Sequence, residues 1–385
     1  MELEDLLTGL QFFVHLLLRR TLVRWQLPAA AFTNQKLLFT VAKNIFLLFF
    51  FISFAAHSQH ADRLKLADEM ENSLRNELLR PWYPRSIDTI YGGFVSAFNF
   101  DFSLADNQDK MIVTQARHVW TCSKAAETYP ASTYFKEAAQ HGFLFLKEVM
   151  WDKTYGGFYS LTDRAGNVKS TMKEAYGNAF GIYALAAYYH ESGDTVALGL
   201  AKQAFHWLDG HAHDTQYKGY FQHLNRDGSV IIRDASVPST SDLGYKDQNS
   251  SIHLLEAFTE LYNVWKDDLL RSRLQEMLLL VRDVMMTKQG YLQLFFHTDW
   301  SHVSFRDSNE ASVLQHRYLD HVSFGHDVET AYLMLEASHA LGLQNDTATM
   351  RIGKLAVDHA LKNGWDDKAG GFYDEGYYFR NRTGI

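Results

Sequence analysis

Two segments of this chain place a histidine three residues before a glutamate. NSSIHLLEA holds His253 and Glu256; FGHDVETAY holds His326 and Glu329. Residues at i and i+3 share one face of a helix. An imidazole titrates near neutral pH and can take or give a proton, and a carboxylate one turn away can orient the ring and raise its basicity. The spacing therefore points to proton transfer. Imidazole and carboxylate can also share a metal, but no third and fourth ligands stand out, so a metal is not expected. A single helical histidine usually serves packing. The repetition of the pair is what favours function.

Other polar residues stand near predicted helix starts. Arg117, in KMIVTQARHVW, offers a permanent cation for a sugar oxygen or a developing enolate, or else a surface ion pair. Tyr176 and Asn178 open the segment YGNAFGIYAL, where Asn is also an ordinary capping residue. Asp374 and Glu375, in GGFYDEG, can bind sugar hydroxyls or cap a turn.

The elements that must carry these residues are helices. Apolar residues recur at three- and four-residue steps over Gln115 to Tyr129, Ser132 to Met150, Lys173 to His190, Thr195 to Leu208, Ser250 to Trp265, Leu269 to Met286, Asp327 to Leu341 and Thr347 to Lys362. A further helix is expected over Ala61 to Leu79. Glycine-centred loops such as DTIYGGF, WDKTYGGFY, HDTQYKGYF, TKQGYL and WDDKAGGFYDEG separate the pairs. Aligned on Gly93, Gly157, Gly219, Gly290 and Gly371, they recur about every 60 to 80 residues, the mark of one unit used several times. Repeated helix pairs without linkers imply a closed toroid or an open solenoid, read as one domain over residues 59–385.

Composition sets outer limits. The 385 residues carry a net charge of -8, which argues against a general nucleic-acid binder. The single cysteine excludes an internal disulfide and any cysteine metal cluster. Near the N-terminus, Lys36 and Lys43 precede the apolar run IFLLFFFISFAA, and Ala56-His57-Ser58 supplies small residues for cleavage after Ser58. Residues 1–58 therefore read as a signal-peptide region, with translation starting near Val41 as one way to make it compact. The expected location is periplasmic or secreted, or cytoplasmic without that signal. The run falls short of the ~20 residues of a comfortable membrane span. Oligomeric state is left open.

The segments QARHVW, KEAYGNAFGIYALAAYY, NSSIHLLEAFTELY, FGHDVETAYLMLEA and GGFYDEG resemble, in order and spacing, the motifs of the N-acylglucosamine 2-epimerase superfamily, most closely its cellobiose and mannobiose 2-epimerases. The resemblance runs from about Leu66 to Gly376. It implies an all-α (α/α)6 toroid and a cofactor-independent reaction at C2 of the reducing-end aldose of a small sugar. By the same resemblance His326 is an acid/base group and Glu329 its orienting carboxylate. His253 assists ring opening or holds substrate, with Glu256 as its partner. Arg117, Tyr176, Asn178 and Glu375 are implied as sugar contacts. The family's second acid/base histidine belongs to a later motif that this sequence does not contain. About nine of twelve helices are expected, with apolar faces exposed where the ring is incomplete. The stretch from Gln293 to Val322 is longer than the family pattern and is expected to extend a loop near the site. Three other readings stay open: an aldose-ketose isomerase, a glycoside hydrolase on the same toroid, and a sugar-binding remnant. Hydrolysis calls for two carboxylates flanking the scissile bond, whereas the paired features here are His-Glu.

Overall fold

Each segment takes the position that its apolar pattern allows. The computed structural model describes residues 62–343, 345–379 and 382–384. The chain divides into two units, Met1–Trp82 and Tyr83–Ile385. In the first, residues 62–82 are helical, with Ser73–Leu79 wound as a π-helix, in line with the helix expected there. The signal-peptide reading of residues 1–58 lies outside the described residues. No described helix is long and apolar enough to cross a membrane.

The second unit holds helix pairs: α1 (Ile112–Thr128) with α2 (Thr133–Phe145), α3 (Ala175–Ser192) with α4 (Thr195–Ala212), and α5 (Gln248–Val264) with α6 (Asp268–Leu280). After a short helix, α7 (Glu310–Gln315), come α8 (Phe324–Ala340) and α9 (Thr347–Asn363). Helices α1, α3, α5 and α8 pack side by side in that order, and each is backed by the helix that follows it or, for α8, by α9. The sequence explains the layering. Helix α3 is apolar on every side and is buried from Gly177 through Tyr188. Helix α9 buries only the stripe Thr349, Gly353, Ala356, His359 and Ala360, as an outer helix does. On the last pair, Tyr332, Leu335, Met350 and Leu361 are exposed.

The inner helices start where short strands end. Lys110–Met111 pairs with Leu161–Thr162, Lys173–Glu174 with His223–Leu224, and Lys246–Asp247 with Phe295–Phe296. These pairings sew the start of each inner helix to the hairpin after the following turn. They also explain why α3 begins at Ala175 and not at Lys173. Outer helices α2 and α6 end in π-helical turns, Leu146–Met150 and Val281–Met285, whose sequences LKEVM and VRDVM echo each other.

The glycine loops are closed by buried ion pairs. Asp88 accepts from the backbone N–H groups of Ile90 and Tyr91, and Lys110 Nζ lies 3.0 Å from its carboxylate and 2.6 Å from the carbonyl of Gly92. Asp152 repeats this with Lys173 at 3.2 Å and Arg226 at 2.9 Å, and Asp214 with Lys246 at 2.8 Å. The three lysines are at most 1% exposed. Burial pulls their pKa values down and the aspartates oppose this. A buried ammonium without such partners would be costly. The fourth turn drops both partners together: Thr287 stands where the aspartate would be and Val322 where the lysine would be. Gly156 and Gly157 have φ of +72° and +71°, and a Cβ on either would fall within 2.8 Å of the Trp207 ring.

The long stretch from Gln293 to Val322 folds as a hairpin and α7. It is tied to the preceding segment by Ser239–His316 at 3.0 Å and Tyr318–Asp242 at 3.3 Å, and the Phe305 and His316 rings stack at 3.9 Å.

Candidate active site

The four inner helices present matching positions along one common face. Counted from each helix start, the sixth residues are Arg117, Phe180, His253 and Glu329, and the ninth are Trp120, Tyr183, Glu256 and Tyr332. These layers are in contact. The Arg117 guanidinium lies 4.5 Å from the centre of the Phe180 ring, and Phe180 lies 4.7 Å from His253. One layer on, Trp120 stacks on Tyr183 at 5.1 Å, and Tyr183 lies beside Glu256, whose charge adds to burial in raising the tyrosine pKa.

His253 is 2% exposed, with Tyr176 5.4 Å away as well as Phe180. Its Nδ1 lies 2.8 Å from Glu256, which leaves Nε2 as the ring atom for a substrate. Tyr176 is at the second position of α3, and burial raises its hydroxyl pKa against the pull of Arg117. Arg117 is exposed and free to meet an anion.

His326 is the third residue of α8, one turn before the layer of Glu329 and His253. Burial lowers its pKa to about 4, helped by the neighbouring His253, His321 and Arg117 and opposed by Asp374. It is therefore a neutral base at ordinary pH. Its Nδ1 faces Ser323 Oγ at 3.1 Å. This corrects the expected His326–Glu329 couple: Ser323 takes the orienting position, and Glu329 acts on the site as a nearby charge that raises the Tyr176 pKa. Glu375 accepts from the Tyr377 hydroxyl and lies 4.0 Å from His321 Nδ1, which brings the last loop toward the His326 side.

Asn178, expected as a sugar contact, does not lie on the exposed surface of the site. It is fully buried, accepts from Phe158 N at 2.8 Å and donates to the Glu174 carbonyl at 2.9 Å. It latches the glycine loop to the inner helix. Gln115 does the same at the fourth position of α1, accepting from Phe94 N at 2.8 Å, and Asp327 does so at the fourth position of α8, accepting from Leu292 N at 2.8 Å. Burial raises the Asp327 pKa to about 8, so the acid is protonated at neutral pH and matches the amides as an acceptor, while its Oδ2 has no hydrogen-bond partner among the described residues. Sequence reasoning also missed Phe180, Ser323 and Tyr183. Aligning the helices on Lys110, Lys173 and Lys246, each two residues before a helix start, would have found Phe180 and Tyr183 as counterparts of Arg117 and Trp120. Among the described residues no three of His, Cys, Asp and Glu converge as a metal site.

A neutral, partly buried imidazole, a second imidazole with a carboxylate behind it and an open guanidinium make a site suited to proton transfer beside a carbonyl. Comparison with known proteins gives the family. The family described as N-acylglucosamine 2-epimerase (GlcNAc 2-epimerase) matches residues 92–381. The chain is 31% identical over 278 residues to the cellobiose 2-epimerase of Bacteroides fragilis, covering 72% of this chain and 67% of that protein. It is 31% identical over 304 residues to the cellobiose 2-epimerase of Ruminococcus albus, covering 77% and 73%. The solved cellobiose 2-epimerase of Bacillus thermoamylovorans B4167 superposes with a TM-score of 0.70 at 26% identity, covering 83% of this chain and 77% of that one. The helix pairs are thus those of the (α/α)6 toroid, and the chain belongs to the N-acylglucosamine 2-epimerase family, among the isomerases that act on carbohydrates.

Proposed function

We propose that this protein inverts C2 of the reducing-end aldose of a β-linked disaccharide of the cellobiose or mannobiose type. The observation that carries the reading is the neutral His326 placed near His253 and Arg117. In this reading His253 Nε2 takes the anomeric hydroxyl proton as the sugar ring opens. His326 removes the C2 proton, made acidic by the C1 carbonyl. Arg117 offsets the charge on the enediolate oxygens, and Tyr176 holds a substrate hydroxyl. Return of a proton from water to the opposite face, with His326 passing the abstracted proton to solvent, completes inversion at C2; return to C1 would instead give a ketose. Support for epimerisation comes from the two curated relatives, whose names give that reaction.

The test is incubation with cellobiose followed by separation of the products. A 2-epimer with its glycosidic bond intact is expected. Free monosaccharides would replace this reading with hydrolysis, and a ketose would replace it with isomerisation. We also propose export through the signal region of residues 1–58; N-terminal sequencing of the native protein should begin at Gln59, and a native protein still carrying residue 45 would oppose it.

A further inference from the structure

His253 is almost wholly buried, yet the proposed function asks it to change protonation state in each turnover. The structure offers a route on the far side of the ring. Glu256, bonded to Nδ1, has a side chain 17% exposed, so it reaches a wetter space than the histidine at 2%. That space is a cavity of about 300 Å³ between the inner helices, lined by Glu256, Tyr183 and Trp120, with Lys124, Glu260 and Glu336 further along. Its outer end is polar and open: Lys124 and Glu260 are bonded at 2.7 Å and both are partly exposed, and Glu336 is exposed. The Trp120 Nε1–H is buried without a hydrogen-bond partner among the described residues, and a cavity of this size and polarity has room for several waters.

We infer that this axial cavity is a proton back door to the active site, in which Glu256, beside Tyr183, exchanges the His253 proton with cavity water. The inference rests on the reading of His253 as a proton-transfer group. As Nε2 takes a proton from the substrate hydroxyl, the Nδ1–H bond breaks and its electron pair stays on the ring. The proton forms an O–H bond on Glu256, which then releases it to water. Reprotonation runs the same steps in reverse. Glu256 and Tyr183 are positioning residues here, since they act through His253.

The test uses the full chain with 15N-labelled histidine and follows exchange of the His253 Nδ1 proton with water by NMR. Thr259 lines the cavity without touching the His253–Glu256 bond, so Thr259→Leu narrows the route from behind. Glu256→Gln keeps the size of the side chain but cannot carry the proton, which guards against a folding artefact in the first variant. Exchange should slow at least about tenfold in both, and kcat of Glu256→Gln should fall about 100-fold at unchanged KM. Exchange as fast in both variants as in the wild type would place the route through the sugar cleft and overturn the inference. The NMR measurement needs no turnover. Absent epimerisation with cavity-dependent exchange would count against the proposed function alone, and epimerisation with cavity-independent exchange against the back door alone.

Discussion

His253 lies at the sixth position of α5, 2% exposed, with a carboxylate on Nδ1. His326 lies at the third position of α8, partly buried, with a hydroxyl on Nδ1. The carboxylate can share the proton that His253 acquires, so this ring suits passing a proton on. The hydroxyl carries no charge, and burial with His253, His321 and Arg117 nearby keeps His326 neutral, so this ring suits taking a proton from carbon. One H-x-x-E spacing thus serves two environments. The two pairs are offset by a helical turn, which puts Glu329 level with His253 and leaves Ser323 to hold His326.

The comparison is broken most directly at His326. His326→Ala should lower kcat by about 1,000-fold and abolish C2 proton exchange, checked by NMR of the sugar. In the wild type, C2 exchange on an open-chain sugar should be lost as pH drops through about 4, where His326 takes a proton. His253→Ala should cost less, about 100-fold in kcat. Exchange at C2 should persist when a sugar already in open-chain form is supplied, because only ring opening is impaired.

Asp327→Asn sharpens the contrast from the side of stability. The buried acid has its pKa raised from 3.8 to about 8, so its contribution is complete below pH 3.8 and is lost as pH rises to about 8. His359 Nδ1 is 3.9 Å away, but burial lowers its pKa as well, so it brings no positive charge to the carboxylate at neutral pH. The asparagine variant keeps the acceptor for Leu292 N. It should be more stable by about 2 kcal/mol at pH 7 and lose the downward slope of stability with pH, measured by urea unfolding from pH 5 to 9. The smallest effect is expected from Ser323→Ala, a few-fold loss of kcat from removing one hydrogen bond worth about 1 kcal/mol.

Much of this was legible in the sequence. Three- and four-residue apolar steps located all eight long helices of the second unit, and the glycine loops marked the repeat. Helix starts were less legible, because the strand pairing that holds Lys173–Glu174 out of α3 joins residues about 50 apart. His253, His326, Arg117 and Tyr176 stood out because their residue types are unusual on apolar helices, and the structure sets them near one another. The latching role of Asn178 was not legible because a latch and a sugar contact look the same in one dimension; its burial and its bond to Phe158 N reveal the latch. Phe180 escaped notice because an aromatic on an apolar helix looks like core, and only its contacts with Arg117 and His253 reveal its place.

The central claim is proton abstraction from C2. Incubating the full chain with cellobiose in D2O and following the C2 hydrogen by NMR tests it without relying on any variant. The account predicts deuterium at C2 together with the 2-epimer. Full retention of the C2 hydrogen by folded protein would contradict it.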